Sequence, residues 1–147
     1  MKEQSSSSFY LFTRRKIQIE NIKFVKMKKV LIIDDDTRNV FALSAVLRSR
    51  GYKYEAATSP AEALLLLKNS ADIGIVLMDM MMPEMDGYSL IPHIKEIPQK
   101  EKIPIVAVTA QAMTGDKEKC LAAGADDYLA KPIDIDKLLA LLKTYLQ

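Results

Sequence analysis

The sequence predicts an α/β fold in which a five-stranded parallel sheet carries helices on both faces. Short apolar runs alternate with amphipathic segments from residue 27 to the end of the chain. Runs such as Ile73–Met78 are apolar without alternation, which is typical of strands that are covered on both sides. Five such strand–helix units predict parallel strands joined by right-handed crossovers, with helices packed on each side of the sheet.

The 147-residue chain, 49% hydrophobic and 27% charged, has the length and composition of a protein with one globular domain. Residues 1–26 carry six Lys or Arg and two Asp or Glu, whereas residues 27–147 carry fifteen and seventeen. The second part is therefore slightly acidic, which offers no electrostatic footprint for nucleic acid. No stretch approaches the roughly 20 apolar residues of a membrane span. We therefore expect neither nucleic acid nor a membrane to be a direct partner.

The first 26 residues differ from the rest of the chain. Ser5–Ser8 is low in complexity, and the apolar run Phe9–Phe12 is too short for the core of a secretory signal. We expect either a flexible extension or an upstream start codon, with Met27 as the natural first residue; a targeting peptide is the alternative. Residues 27–147 then form the domain, with a cytoplasmic location.

The first two units follow from caps and apolar spacing. Val30–Ile33 is the first strand, and Asp36 or Thr37 caps a helix that Gly51 ends. The apolar face of this helix comprises Val40, Phe41, Leu43, Val46 and Leu47. The second strand is Tyr52–Ala57. The next helix begins at Ser59-Pro60 by the cap-then-proline rule and turns Leu64–Leu67 inward.

The remaining units follow the same alternation. The third strand, Ile73–Met78, leads through the Pro/Gly loop Met80–Gly87 to a helix around Tyr88–Glu96. The fourth strand is Ile103–Val108, followed by a helix over Ala112–Ala123. The fifth strand spans Asp127–Ala130. The last helix is amphipathic, with apolar residues at Ile135, Leu138, Leu139, Leu142, Tyr145 and Leu146.

Polar residues stand just past the carboxyl ends of these strands: Asp34, Asp35, Asp79, Thr109 and Lys131. In a flavodoxin-like strand order, 2-1-3-4-5, these ends lie along one edge and meet at the switch point. Three carboxylates brought together repel one another, and desolvation raises their pKa values. Mg²⁺ would resolve this, because it prefers oxygen ligands and binds through one or two carboxylates plus phosphate oxygens.

The same set of residues suggests phosphoryl transfer onto a carboxylate. Aspartate can act as a nucleophile and form an acyl phosphate. Lys131 would supply a compensating charge, and Thr109 a hydrogen bond to a phosphate oxygen.

Other reactive residue types are scarce. The single cysteine, Cys120, excludes an internal disulfide and a cysteine-based zinc site, and we expect it to be a small apolar filler on a helix. The single histidine, His93, is expected to be a partly exposed helix residue. The methionines of Met78–Met82, with Met85, are expected to pack in the core rather than bind a soft metal.

Four blocks of this sequence resemble the signature blocks of the receiver domain of two-component response regulators. They are VLIIDDD, MDMMMPEMDG, IPIVAVTA and GADDYLAKPI, in family order and with family spacing. Asp35 and Asp79 are 44 positions apart, Asp79 and Thr109 are 30 apart, and Thr109 and Lys131 are 22 apart. The resemblance extends from about Met27 to the end of the chain.

This resemblance implies a role for each residue of the site. Asp79 is expected to be the phosphoacceptor, Asp35 a direct Mg²⁺ ligand, and Asp34 a residue that acts through a metal-bound water. The backbone carbonyl of Met81 would complete the protein ligands. Lys131 would contact the phosphoryl group, with a cis peptide bond before the following proline.

The resemblance also implies a switch and its regulation. Thr109 is expected to be the switch hydroxyl, and Tyr128 the switch aromatic that turns inward when Thr109 moves. Met81 and Gln111 stand at the positions that set the lifetime of the phosphoryl group.

Partners follow from the same family. A histidine kinase or a histidine phosphotransfer protein would donate the phosphoryl group, so the chain would be a signalling switch rather than an enzyme. Output would pass through the fourth helix, the fifth strand and the last helix, to a partner or to a second copy in a homodimer. The blocks resemble hybrid-kinase and phosphorelay receivers in particular, in a stand-alone or excised form.

Two alternatives remain at this point. A haloacid-dehalogenase-like phosphatase would use Asp34 and Asp36, but Arg38 stands where its motif has Thr or Val. A flavodoxin-like FMN-binding protein would share the fold, but Asp34–Asp36 would repel the FMN phosphate.

Overall fold

A computed structural model describes residues 28–110 and 115–146, together with Thr13. It contains a five-stranded parallel sheet of order β2-β1-β3-β4-β5, which confirms the predicted fold class and strand order. The strands are β1 (Lys29–Ile33), β2 (Tyr54–Ala57), β3 (Ile73–Asp79), β4 (Ile105–Thr109) and β5 (Asp127–Ala130).

Helices follow the strands in strict alternation within residues 28–146. They are α1 (Thr37–Ser49), α2 (Pro60–Asn69), α3 (Gly87–Lys95), α4 (Asp116–Ala122) and α5 (Ile135–Leu146). Among the described residues, no helix is long and apolar enough to cross a membrane.

Each face of the sheet has its own apolar core, because successive strand residues point to opposite sides. Leu31, Val76 and Ile105 face a cluster completed by side chains of α2, α3 and α4. Ile32 and Leu77 face a second cluster, which α1 and α5 complete. Both faces are thus covered, as the unbroken apolar runs predict.

The helix starts agree with the sequence signals. Asp36 caps α1 by accepting a hydrogen bond from the backbone N–H of Arg38. Ser59 caps α2 by accepting one from the N–H of Glu62, and Pro60 occupies the first turn.

Three apolar residues predicted to face the core lie outside it. Phe41 is 71% exposed, Leu65 is 60% exposed and Ile135 is 43% exposed. Each helical residue is turned by 100° from its neighbour, so an apolar residue next to the buried stripe can point to solvent. The sequence pattern located the helices correctly but overestimated the width of their buried faces.

Two strands start two residues later than predicted. The second strand starts at Tyr54 rather than Tyr52, because the N–H of Tyr52 donates to the carbonyl of Leu47 and closes the end of α1. The fourth strand starts at Ile105 rather than Ile103. The fourth helix is described from Asp116 onward, and residues 112–114 of the predicted helix lie outside the described part of the chain.

Candidate functional site

Three aspartates meet at the carboxyl edge of the sheet. Asp34 and Asp35 follow β1, and Asp79 ends β3, the strand that pairs with β1. One carboxylate oxygen from each lies within 4.8 Å of the others. Asp34 and Asp79 are each only 6% exposed, whereas Asp35 is open to solvent. The sheet therefore brings together the carboxylates that the strand ends predicted.

Lys131 supplies the positively charged side chain of this cluster. Its Nζ lies 3.4 Å from Oδ2 of Asp34 and 3.5 Å from Oδ2 of Asp79. The backbone N–H of Lys131 donates to the carbonyl of Thr109 at 2.8 Å, which continues the pairing of β4 and β5. The peptide bond between Lys131 and Pro132 is cis, as expected.

Hydrogen bonds orient the two buried carboxylates. Oδ1 of Asp34 accepts from the backbone N–H of Asp36 at 2.9 Å. Oδ2 of Asp34 accepts from Nδ2 of Asn39 at 3.4 Å, in addition to its contact with Lys131. Oδ1 of Asp79 accepts from the N–H of Met81 at 3.0 Å.

Burial raises the pKa of the Asp79 carboxyl above its ordinary value. The N–H of Met81 and the charge of Lys131 oppose this shift, whereas the charges of Asp34 and Asp35 add to it. Ionisation of the Asp79 carboxyl is thus disfavoured in the protein alone.

The chemistry of this donor set fits a hard divalent cation. Three carboxylates and one ammonium group leave an excess of negative charge in a partly buried site, which a cation would neutralise. Mg²⁺ matches oxygen ligands of this kind. The residues available to hold it are Asp34, Asp35 and Asp79, with the backbone carbonyl of Met81 as a further expected ligand.

The two expected switch residues lie on the strands beside the cluster. Thr109 ends β4 and is 3% exposed. Tyr128 lies in β5 opposite Ala107, is half-buried, and packs against the cluster of α2, α3 and α4 side chains. Burial raises the pKa of the Tyr128 hydroxyl above its ordinary value. Gln111, like residues 1–26 apart from Thr13, lies outside the described residues.

The burial of the other residues singled out in the sequence agrees with expectation, with Met81 as the exception. Cys120 is fully buried, with Sγ 3.7 Å from the hydroxyl of Tyr88. His93 is exposed on α3. Met78, Met80 and Met82 are buried in the core as expected. Met81, which was expected to pack with them, is instead 53% exposed beside the site. The carboxylate of Asp36 is outside the cluster and pairs with the guanidinium of Arg38.

Two features of the site were missed in the sequence. A cavity of about 270 Å³ lies between α1 and α5 and adjoins Asp34, Asp79 and Lys131. Asn39, in the first turn of α1, lines this cavity and contacts Asp34. The sequence did contain a signal for Asn39, which is an amide residue one helical turn after the acidic pair. Whether that amide reaches Asp34 depends on the direction in which α1 leaves β1.

The chain belongs to the response regulator receiver domain family. The family model matches residues 30–143, which include every site residue discussed above. The chain is therefore a receiver domain of two-component and phosphorelay signalling systems.

Similar proteins include histidine kinases and the receiver domains of histidine kinases and phosphorelay proteins. It is 39% identical over 116 residues to the signal transduction histidine-protein kinase BarA of Escherichia coli K12. The match covers 79% of this chain, which spans only 12% of that relative's length.

Two solved structures bear on the site. The receiver domain of the sensor histidine kinase PA1611 from Pseudomonas aeruginosa PAO1 is 34% identical, with a TM-score of 0.74 and coverage of 81% of this chain and 97% of that one. It holds a magnesium ion in its active site cleft. The co-crystal structure of the Saccharomyces cerevisiae phosphotransfer protein Ypd1 with the receiver domain of Ssk1 gives 26% identity, a TM-score of 0.74, and coverage of 82% and 89%.

These findings decide between the alternatives that the sequence left open. A receiver domain accounts for Asp79 and Lys131, which a phosphatase built on Asp34 and Asp36 leaves unexplained. The salt bridge between Asp36 and Arg38 further separates Asp36 from the site. The acidic edge of the sheet likewise does not suit the phosphate of FMN.

Proposed function

We propose that Asp79 is the phosphoacceptor of a Mg²⁺-dependent receiver domain formed by residues 27–147, with residues 1–26 as an extension. The observation that carries this proposal is the geometry around Asp79. Its buried carboxylate shares Lys131 with Asp34 and has two further carboxylates within 4.8 Å. Among the described residues, this is the one cluster suited to a divalent cation.

In the proposed step, a carboxylate oxygen of Asp79 attacks the phosphorus of a phosphohistidine. The P–N bond breaks, its electron pair stays on the imidazole nitrogen, and an acyl phosphate forms on Asp79. Mg²⁺, when bound, neutralises charge on the transferring group. Lys131 already contacts Asp79 and lies within reach of the phosphoryl oxygens. The protein accepts one phosphoryl group and loses it slowly, so it does not turn over substrate as an enzyme does.

The switch follows from the new charge on Asp79. A phosphoryl group adds strong acceptor oxygens, which would draw the hydroxyl of Thr109 towards them. Movement of Thr109 at the end of β4 would free space for the ring of Tyr128 on the neighbouring strand. The face formed by α4, β5 and α5 would then change its affinity for a partner or for a second copy.

The donor of the phosphoryl group is proposed to be a histidine kinase or a histidine phosphotransfer protein. Support comes from the kinase relative and from the complex of a phosphotransfer protein with a similar receiver. Met81 and Ile135, both exposed apolar residues, flank the site and offer contacts to such a donor.

The test is phosphorylation by a small donor. Wild type, Asp79→Asn and Asp36→Asn are incubated with Mg²⁺ and acetyl phosphate, and intact mass is measured. Asp36→Asn is the matched control, because it removes a neighbouring carboxylate outside the cluster and asparagine still caps a helix. We expect a phosphoryl adduct in wild type and Asp36→Asn but none in Asp79→Asn.

An adduct that persists in Asp79→Asn, or that forms equally well in EDTA, would contradict the proposed acceptor or the proposed metal dependence. Beryllofluoride, a phosphoryl mimic, tests the output in the same samples. An oligomer that appears only with Mg²⁺ and beryllofluoride would support output through a homodimer. An unchanged molecular size would contradict the homodimer and favour output through a separate partner protein.

A further inference from the structure

We infer that Asn39 is a positioning residue for the Mg²⁺ site: its side-chain amide holds Asp34 in the orientation that supports Mg²⁺ binding. This inference rests on the proposed function, in which the three carboxylates hold the ion. Asn39 lies in the first turn of α1, and its Nδ2 is 3.4 Å from Oδ2 of Asp34. Asn39 is not among the site residues that the sequence led us to expect.

The Asp34 carboxylate needs more than one donor to stay fixed. Rotation about its terminal bond is soft, so a single hydrogen bond leaves the second oxygen free to move. The N–H of Asp36 holds Oδ1 at 2.9 Å. Oδ2 is held by Asn39 and by Lys131, each at 3.4 Å.

Of these two donors to Oδ2, only Asn39 belongs to Asp34 alone. Lys131 is shared with Asp79, at 3.5 Å, and in the proposed function it turns to the phosphoryl group. The amide of Asn39 then remains as the donor that keeps Oδ2 in place.

An amide also suits this position electrostatically. It donates a hydrogen bond without a positive charge, so it does not repel a cation at the neighbouring carboxylates. It adds no negative charge to three carboxylates that already repel one another. Partners of this kind, which orient a metal ligand without touching the metal, commonly affect metal affinity by about 10- to 100-fold.

The experiment compares Asn39→Ala with Asn69→Ala by calorimetric titration of the full chain with Mg²⁺ alone. Asn69 is the control because it is also an exposed helical asparagine, at the last position of α2. We expect Asn39→Ala to weaken Mg²⁺ binding about tenfold and Asn69→Ala to leave it unchanged. Asn39→Gln keeps an amide on a longer side chain and should restore part of the affinity.

Phosphorylation provides a second readout that a merely structural role would not reproduce. With acetyl phosphate, Asn39→Ala should be labelled more slowly at low Mg²⁺ and should approach the wild-type rate at saturating Mg²⁺. A rate that stays low at saturation would overturn the positioning role.

The outcomes also separate this inference from the function on which it rests. If wild type binds Mg²⁺ and is phosphorylated while Asn39→Ala binds Mg²⁺ equally well or more tightly, the inference alone is wrong. Equal weakening in Asn39→Ala and Asn69→Ala overturns it too. If wild type binds no Mg²⁺, the proposed metal site fails, and this inference fails with it.

Discussion

Asp79 carries a charge that its surroundings disfavour until a ligand arrives. Burial raises the pKa of its carboxyl, and the neighbouring aspartates act in the same direction. Two like charges 4.8 Å apart repel by roughly 3 kcal/mol at an effective dielectric constant of 20. Lys131 offsets only part of this repulsion, because one ammonium group serves two carboxylates.

Replacing Asp79 with asparagine should therefore stabilise the metal-free protein. We expect the free energy of unfolding at pH 7 in EDTA to rise by roughly 1 to 2 kcal/mol, measured by urea denaturation. Because the folded-state pKa of Asp79 is raised, the ionised carboxylate destabilises the folded protein at pH values above that pKa. This destabilisation shrinks as the pH falls through the folded-state pKa, and it disappears below the ordinary value of 3.8.

Asp36→Asn is the control for this effect. The guanidinium and the N–H of Arg38 hold the pKa of Asp36 below its usual value, so its charge is favoured in the folded state. Removing that charge should not stabilise the protein. A gain in stability equal to that of Asp79→Asn would show that the cause is general charge reduction rather than the cluster.

Met81 is expected to set the lifetime of the phosphoryl group. Its side chain is 53% exposed and follows Asp79 by two positions, where it can hinder the approach of a hydrolytic water. Met81→Asn replaces this bulk with a smaller polar group and should shorten the lifetime severalfold, measured as loss of the mass adduct over time. Met82→Leu, in the core, should leave the decay unchanged; an unchanged decay in Met81→Asn would refute the idea.

At the scale of elements, the loop from β3 to α3 positions both Asp79 and Met81. The N–H of Gly87 donates to the carbonyl of Met80, and Asp86 caps α3 by accepting from the N–H of Ser89. A side chain at Gly87 would meet the sulfur of Met80 and lie 3.0 Å from the Cα of Met80. This glycine is needed for close approach of the loop to the helix start.

Gly87→Ala should consequently disturb the site as well as the fold. We expect a loss of about 1 to 3 kcal/mol in the free energy of unfolding, as for overpacking elsewhere, together with slower phosphorylation by acetyl phosphate. Ser89→Ala, an exposed position of the same helix, should change stability by less than about 0.5 kcal/mol. Normal stability in Gly87→Ala would mean that the side chain of Met80 relaxes and the backbone does not.

At the scale of the whole molecule, the site exists only in the assembled sheet. Asp34 and Lys131 are 97 positions apart, and their contact requires β1, β3, β4 and β5 to pair in the observed order. The unfolded chain has no such arrangement. Cation binding should therefore be coupled to folding.

Mg²⁺ should stabilise the protein by mass action. Above its dissociation constant, each tenfold rise in free Mg²⁺ should add about 1.4 kcal/mol to the free energy of unfolding. Asp35→Asn should shift this dependence to higher Mg²⁺, and Asp35 is exposed, so the fold should survive. Glu118→Gln, which removes an exposed carboxylate of α4 outside the cluster, should leave the dependence unchanged. Equal shifts in both variants would indicate non-specific charge screening.

Much of this protein could be predicted because the relevant signals are local. Apolar runs, caps and prolines depend on neighbours in the chain, so they located all five strands and the starts of α1 and α2. A parallel sheet aligns its carboxyl ends, so Asp34, Asp79 and Lys131 could be placed at one edge before their contacts were known.

Only the tertiary structure decided which side chains of the site are in contact and which apolar residues lie outside the core. Phe41, Leu65 and Ile135 fit the helical pattern but are exposed, because burial depends on what packs against each helix. The contact between Asn39 and Asp34 depends on the direction in which α1 leaves β1. The sequence by itself determined the fold class and the acidic edge through local periodicity, whereas long-range packing determined the geometry that makes the edge a site.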